Sequence, residues 1–262
     1  MIGNDPVDSD EYYWMENEPN KEKNVLTKIY SPKTDPKARI RALRERVALE
    51  HLAGIFVIIS FFLIDHFVIG LSSAPKMLQS NFDVSDNHSS KKEFWTIMKF
   101  INGERLSDYI KSNKIDLREA LQITRQLLTI IKEIHSKNVI HRDIQPKNIL
   151  IQQRPNDQQM TFMFINFGSA FIKNYQWTHS LEDIDNYLGN QFYRMPQFEQ
   201  RSLQTKLFEQ SPVIDTTGIC AILFWILTGH EPRESKDVWE QPPHHLHDHP
   251  KMIGRRIDQI TG

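Results

Sequence analysis

The stretch of the chain with the clearest chemical potential is residues 139–151, VIHRDIQPKNILI, where polar side chains lie between two short apolar runs. No Asn-Gly or Asp-Gly pair marks it as a simple hairpin turn. A polar loop carried on two short strands is a common way to present catalytic groups. We therefore predict a functional loop centred on Asp143 and Asn148. The alternative is a polar hairpin in which these two side chains satisfy backbone groups.

Composition limits the class of protein. The chain has 262 residues, of which 39% are hydrophobic, enough for one large domain or two lobes. A net charge of -1 argues against a nucleic-acid-binding protein. The single cysteine, Cys220, excludes an internal disulfide framework, and the acidic, polar start does not look like a signal peptide. We expect a cytoplasmic location, since a lone cysteine suits a reducing compartment.

One apolar run, AGIFVIISFFLIDHFVIGL over residues 53–71, raises the question of a membrane span. Asp65 and His66 interrupt it, and the uncharged part is too short to cross a bilayer. Its β-branched and aromatic residues favour a buried strand. We expect no membrane span, with a transmembrane helix as the alternative.

The elements that must position the loop form two groups, separated near Gly103. The first group is a small sheet with one helix: a strand over 24–30, a helix capped by Asp35 with Pro36 at its first position, a strand within 53–69, a polar loop over 70–92 and a strand over 93–101. The second group is mainly helical: a helix starting at an Asp116–Glu119 capping box, a hairpin around 154–157, and a buried helix over 214–229. The first of these helices carries a stripe of Leu121, Thr124, Leu128, Ile131 and His135, with Leu127 and Ile134 beside it.

In this order, the motifs resemble a eukaryotic-type protein kinase of the Ser/Thr kind over roughly residues 24–230. HRDIQPKN, residues 141–148, looks like the catalytic loop of that family. The resemblance implies that Asp143 accepts the proton of a substrate hydroxyl, or orients that hydroxyl, and that Asn148 holds Mg²⁺. It implies that Arg142 pairs with a phosphate on the activation segment, if one exists.

The same resemblance implies an ATP site. Lys28 looks like the strand lysine that reaches the ATP phosphates, and Glu45 lies where the family has the helix glutamate that pairs with it. Residues 95–110 resemble the hinge that binds adenine, with Met98 behind the base. The hinge backbone groups would come from Lys99, Phe100 and Ile101.

Two further motifs favour a protein kinase over a small-molecule kinase. GNQFYRMPQ, residues 189–197, resembles the end of an activation segment, and Asp215 falls where the family's buried helix aspartate supports the catalytic loop. The implied fold is α+β and bilobal, with a β-rich N-lobe over 1–101 and a helical C-lobe over 102–262.

Departures from the family pattern bear on activity. Asn166, in FINFG, replaces the metal-binding aspartate and removes one negative charge from a Mg²⁺ site. No glycine-rich loop precedes Lys28, so we expect the phosphate lid to be missing or built otherwise. The 1–23 segment also looks short for the two opening strands of the family. Gln145 replaces the lysine expected after the catalytic aspartate, and Lys147 supplies the cation two positions later. Gln197 replaces a glutamate, and the chain stops about where the last helices of the lobe should begin.

These features support one main hypothesis and two alternatives. In the main hypothesis, the chain slowly transfers a phosphoryl group from ATP to Ser/Thr hydroxyls of a protein substrate, and the reaction depends on Mg²⁺. Asn148 and Asn166 are the metal ligands, and Asp143, Lys28 and Lys147 are the catalytic residues. The first alternative is a pseudokinase scaffold that binds a regulatory protein partner, with or without nucleotide. The second is a small-molecule phosphotransferase. The histidines within 242–250 could bind a transition metal, although a polar surface loop is the simpler interpretation.

Overall fold

The computed structural model describes residues 11–16, 25–33, 37–53, 56–58, 70–72, 74–81, 93–154, 157–173, 175 and 211–229. In chain order the strands are β1 (Glu11–Glu16), β2 (Val25–Tyr30), β3 (Phe56–Ile58), β4 (Gly70–Ser72), β5 (Met77–Ser80), β6 (Phe94–Lys99), β7 (Glu104–Arg105), β8 (Val139–Ile140), β9 (Ile149–Arg154), β10 (Asp157–Phe164) and β11 (Phe171–Ile172). The helices are α1 (Ala38–Leu52), α2 (Leu106–Ser112), α3 (Leu117–Ser136) and α4 (Val213–Thr228).

An antiparallel sheet with strand order β1-β2-β6-β5 forms the N-terminal part of the fold. The predicted strands over 24–30 and 93–101 are confirmed as β2 and β6. The predicted polar loop over 70–92 is wrong in part, because β4 and β5 lie within it. The strand β5 lies at the edge of this sheet and pairs with β6. Its Leu78 is 47% exposed. An edge strand of this kind does not need the alternation of buried apolar residues by which a strand is recognised in a sequence.

Helix α1 packs across this sheet and is buried on most of its surface. The predicted cap is wrong, because Lys37 occupies the N-cap position without a side-chain hydrogen bond, while Asp35 and Pro36 lie outside the described residues. Ala38 and Ala42 are completely buried in a cluster with Tyr30 and other core residues. Tertiary packing of these small side chains therefore fixes the start of the helix, and a capping side chain is not needed.

Helix α3 begins as predicted, with Asp116 Oδ1 accepting the Glu119 backbone amide at 2.7 Å. The Glu119 carboxylate, however, accepts a hydrogen bond from the Tyr109 hydroxyl at 2.6 Å. The predicted stripe is wrong for Leu121 and Leu128, which are 52% and 38% exposed. Ile131 of the stripe and the neighbouring Leu127 and Ile134 are buried, and the buried face also carries Ala120, Ile123 and Ile130. Apolar residues occur on both faces of this helix, so the spacing alone allowed two solutions.

Helix α4 packs against α3, and its prediction as a buried helix is confirmed. It ends at Gly229, which has a left-handed φ of 74° and whose amide donates to the Trp225 carbonyl. The predicted hairpin around 154–157 is confirmed as β9 and β10. Most of the core is one cluster that runs from α1 through α3 to α4.

The apolar run over 53–71 is described only at its two ends. The strand β3 pairs antiparallel with β4, with Phe56 opposite Ser72 and Ile58 opposite Gly70. Residues 59–69 lie outside the described part of the chain. Among the described helices, none is long and apolar enough to cross a membrane.

Candidate active site

The predicted catalytic loop lies between β8 and β9 and is held by helix α4. Arg142 has a left-handed φ of 63°, a conformation that is costly for a residue with a side chain. Asp215 of α4 stabilises it, because its carboxylate accepts the backbone amides of His141 and Arg142, each at 2.8 Å. The predicted contact between Asp215 and this loop is thereby confirmed.

His135 is a supporting residue that the sequence analysis placed only in a helical stripe. Its Nε2 lies 2.8 Å from Asp215 Oδ2, so the imidazole donates a third hydrogen bond to that buried carboxylate. The one feature of the sequence that could have indicated this role is the position of His135, in the last turn of the helix that directly precedes the loop. The contact itself joins residues that are 80 positions apart, and the sequence could not show it.

Gly218 lets α4 approach the loop closely. A Cβ atom at this position would lie 2.7 Å from Ile144 Cβ and 2.8 Å from the Ile144 carbonyl oxygen. Both atoms belong to the loop core, so the helix would have to move away from them. Glycine at 218 thus complements Asp215 in fixing where the loop lies.

The Asp143 carboxylate is engaged on both oxygens. Oδ1 accepts the Gln145 side-chain amide at 2.7 Å, and Oδ2 accepts the Asn148 side-chain amide at 2.7 Å. Removal from water raises the pKa of Asp143, and the neighbouring His141, the hydrogen bonds from Asn148 and Gln145 and the positive charge of Lys147 oppose this effect. The loop therefore presents a single carboxylate oriented by two amide donors, with a partly exposed lysine beside it.

The histidine of the loop orients Asp143 through its backbone. His141 Nδ1 accepts the Asp143 backbone amide at 3.2 Å, and its Nε2 lies 2.9 Å from the Ile165 carbonyl. Since a carbonyl only accepts, Nε2 carries the proton and Nδ1 does not. The ring is completely buried and packs on Phe167, with the ring centroids 4.6 Å apart. His141 thus links the loop to the FINFG segment.

Lys28 and Glu45 form a buried ion pair, with Lys28 Nζ 2.9 Å from Glu45 Oε2 and both side chains 1% exposed. The prediction that they face each other from strand and helix is confirmed. Lys28 Nζ also lies 4.9 Å from the centroid of the Tyr30 ring, a cation–π distance. A buried pair of this kind fixes the position of the lysine, although its net contribution to stability is small.

Asn166 connects this pair to the catalytic loop. Its Oδ1 accepts a hydrogen bond from Lys28 Nζ at 3.1 Å, and its Nδ2 donates to Asn148 Oδ1 at 2.8 Å. Its backbone φ of 66° is left-handed, which asparagine tolerates better than most residues. The structure thus brings Glu45, Lys28, Asn166, Asn148 and Asp143 into one continuous chain of polar contacts.

The predicted hinge residues lie at the end of β6 and directly after it. Met98 is buried and pairs across the sheet with Leu26. The Lys99 amide donates to the Lys76 carbonyl at 2.9 Å, so it is already used. Within the described residues, the amides of Phe100 and Ile101 make no backbone hydrogen bond. These two amides are therefore the better candidates to meet a bound base.

Arg142 does not extend into solvent. Its Nε donates to the Ser169 carbonyl at 2.7 Å, and the guanidinium lies 5.6 Å from the Phe171 ring centroid. These contacts tie the loop to the segment after Asn166. The activation-segment motif over 189–197, with Gln197, and the histidines within 242–250 fall outside the described residues.

The side chains of the site do not supply all of the oxygen ligands that Mg²⁺ requires. Asn148 and Asn166 offer neutral amide oxygens of the hard type that Mg²⁺ accepts, but each already accepts a hydrogen bond. Asp143 is the carboxylate beside them. In the part of the chain that the structure describes, no three His, Cys, Asp or Glu side chains cluster into a metal site. These oxygens fit a hard cation only as part of a shared donor set, in which a bound ligand would supply the remaining oxygens.

Comparison with known proteins places these features in one family. The sequence model described as "Protein kinase domain" matches residues 17–259. The serine/threonine-protein kinase RAD53 of Saccharomyces cerevisiae is 29% identical over 154 residues, 55% of this chain and 18% of that protein. The serine/threonine-protein kinase PrkC of Bacillus subtilis is 30% identical over 146 residues, 55% of this chain and 20% of that protein.

A solved structure shows the same fold. The crystal structure titled "Crystal structure of Rad53 kinase domain and SCD2" matches with a TM-score of 0.55 and 21% identity, covering 89% of this chain and 71% of that chain. The matched stretches span about a fifth of the length of the two curated relatives. The fold is thus the bilobal kinase fold, with a β-rich N-lobe and a helical C-lobe, and the chain belongs to the protein kinase domain family.

Proposed function

We propose that this chain transfers the terminal phosphoryl group of ATP to Ser/Thr hydroxyls of a protein substrate. The observation that carries the proposal is the continuous set of contacts from Glu45 through Lys28 and Asn166 to Asn148 and Asp143. It joins a phosphate-binding cation on the sheet to a carboxylate on the loop. In this proposal the N-lobe is 1–101 and the C-lobe 102–262, and the lone Cys220 supports a cytoplasmic location.

Each site residue has a role that its surroundings support. Lys28, held by Glu45, meets the ATP phosphates, and Met98 packs against the adenine, whose edge meets backbone groups of the segment from Lys99 to Ile101. Asp143 accepts the proton of the substrate hydroxyl or orients it. Lys147, whose charge acts on Asp143, balances the charge that develops during transfer.

Asn148 and Asn166 are the residues that would hold Mg²⁺ through their Oδ1 atoms. The ion, when bound with ATP, would neutralise charge on the transferring phosphoryl group. Both oxygens must first give up the hydrogen bonds that they accept from Asn166 and Lys28. Because this site offers one carboxylate fewer than the family pattern, we expect slow transfer.

The experiment is a transfer assay with radiolabelled ATP and a degenerate library of Ser/Thr peptides. A second library, with the hydroxyl residues replaced by alanine, controls for label that binds without transfer. Asp143→Asn keeps the size of the side chain and removes the base. Label in the hydroxyl library that depends on Asp143 supports the proposal. Equal label with the Asp143→Asn variant contradicts it.

A second candidate function rests on the engagement of Asp143. Both carboxylate oxygens accept amides from within the loop, from Gln145 and Asn148. A substrate hydroxyl would share one of these oxygens with an amide donor, which weakens Asp143 as a base and suits a pseudokinase scaffold that binds a regulatory protein partner without turnover. Nucleotide binding without label in any peptide library, for the native chain and for Asn166→Asp, would favour this function.

A further inference from the structure

The pair of asparagine side chains at the centre of the site bears on how nucleotide binds. Asn166 Oδ1 faces the Lys28 ammonium at 3.1 Å, and Asn148 Oδ1 accepts the Asn166 amide at 2.8 Å. The oxygens that a metal would use are thus directed at N–H donors of the protein. An amide can make both contacts at once because it carries an acceptor and a donor, whereas a carboxylate at position 166 could only accept.

The charges around these two amides favour binding of the phosphates of a nucleotide without a divalent cation. Lys28 and Lys147 are cations near the two amides, and Glu45 and Asp143 are anions near them, with Glu45 paired to Lys28. Arg142 and Asp215 are engaged with the backbone of the catalytic loop and of the segment after Asn166. A carboxylate at 166 would add a negative charge at the atom that meets Lys28 Nζ. The phosphates of a nucleotide would be repelled by that charge unless a cation lay between them. Because the side chain of Asn166 is neutral, it does not repel the phosphates, and its Oδ1 still accepts a hydrogen bond from Lys28.

We propose that the site binds adenine nucleotides without a divalent cation, with Lys28 as the counter-charge of the phosphates and the Asn166–Asn148 hydrogen bond intact. The proposal rests on the proposed function for the presence of a nucleotide site, and it goes further by separating nucleotide binding from metal binding. Mg²⁺ would then serve the transfer step and contribute little to the affinity for nucleotide.

The experiment is calorimetric titration of the full chain with ADP, once in EDTA and once in excess Mg²⁺. For the native chain we expect the two dissociation constants to agree within about threefold. For Asn166→Asp we expect binding in EDTA to be weaker by about tenfold or more, with Mg²⁺ restoring it. Asn113→Asp adds the same charge on the exposed end of helix α2, and it should behave like the native chain.

The outcomes separate this proposal from the one on which it rests. Native binding that requires Mg²⁺ overturns the proposal and leaves phosphoryl transfer standing. Absence of ADP binding in both conditions overturns both. If Asn166→Asp does not fold, as judged by circular dichroism, Asn148→Asp places the new charge on the neighbouring amide and should give the same metal dependence. A folded Asn166→Asp whose binding ignores Mg²⁺ would overturn the argument from charge.

Discussion

The carboxylate of Asp215, on a largely apolar helix, accepts the backbone amide of Arg142 at 2.8 Å and holds that residue in a left-handed conformation. The same carboxylate accepts the amide of His141 and the ring of His135. Helix α4 therefore serves as the support of the catalytic loop. A carboxylate is suited to this position because it accepts several hydrogen bonds and donates none.

Asp215→Asn should lower the free energy of unfolding by about 2–3 kcal/mol, since an amide nitrogen cannot accept the buried N–H groups. The measurement is urea denaturation of the variant and the native chain. Asp108→Asn, on the exposed face of α2, makes the same chemical change in solvent and should be nearly neutral. A difference between the two variants below about 0.5 kcal/mol would show that the hydrogen bonds to Asp215 contribute little.

Gly218→Ala should also disturb the loop, because the new Cβ would lie 2.7 Å from Ile144 Cβ. Overpacking of this kind costs about 1–3 kcal/mol, more than the gain in helix propensity. Thermal denaturation measures the loss. Cys220→Ala changes an exposed residue of the same helix, and it should leave the melting temperature unchanged. A stabilised Gly218→Ala variant would mean that α4 moves away from the loop without cost.

Gln145→Lys should raise the rate of phosphoryl transfer by about tenfold, because a cation beside the phosphate stabilises developing charge better than an amide does. The same change removes the amide that occupies Asp143 Oδ1 at 2.7 Å. Steady-state kinetics should show the gain in kcat, with the KM for ATP little altered. Gln122→Lys, on the exposed surface of α3, controls for the added charge. An equal gain in both variants would point to general electrostatics.

Stability should fall between about pH 10 and pH 12 in a way that depends on Tyr109. Burial, with a hydrogen bond to Glu119, raises the pKa of Tyr109 to about 12. The unfolded chain releases this proton near pH 10, so the unfolded state binds fewer protons across this interval and gains stability relative to the fold. Denaturation experiments at a series of pH values should show that the free energy of unfolding of Tyr109→Phe falls less between about pH 10 and pH 12 than that of the native chain. Parallel curves for both proteins would contradict the assignment.

The sequence revealed the parts of the site that short motifs carry. HRDIQPKN located Asp143 and Asn148, and the order of Lys28 and Glu45 placed a cation against its partner. Asp215 followed from its position in an apolar helix, where a carboxylate needs buried donors. The predicted Lys28–Glu45 pairing and the predicted contact of Asp215 are confirmed because local pattern and tertiary requirement agree at those positions, whereas the catalytic roles of Asp143 and Asn148 stay predictions.

Other parts depended on contacts that no spacing reveals. The hydrogen bond from Asn166 to Asn148 depends on which way two amides turn. His135 looked like one more residue of a helical stripe. The buried face of α3 was misplaced in part, because the exposed Leu121 and Leu128 have the same helical spacing as buried residues. Strand β5 was missed because its pairing with β6, and not its composition, makes it a strand.

The most direct test of the central claim, that Asp143 serves phosphoryl transfer in a site weakened by Asn166, is the single-turnover rate of Asn166→Asp with Mg²⁺ and ATP. Restoring one metal-ligand charge should raise the rate by roughly 10²–10³ over the native chain. The gain should vanish when Asp143→Ala is added, because both residues serve one reaction. A gain that survives Asp143→Ala, or equal rates for the native chain and Asn166→Asp, would contradict the account.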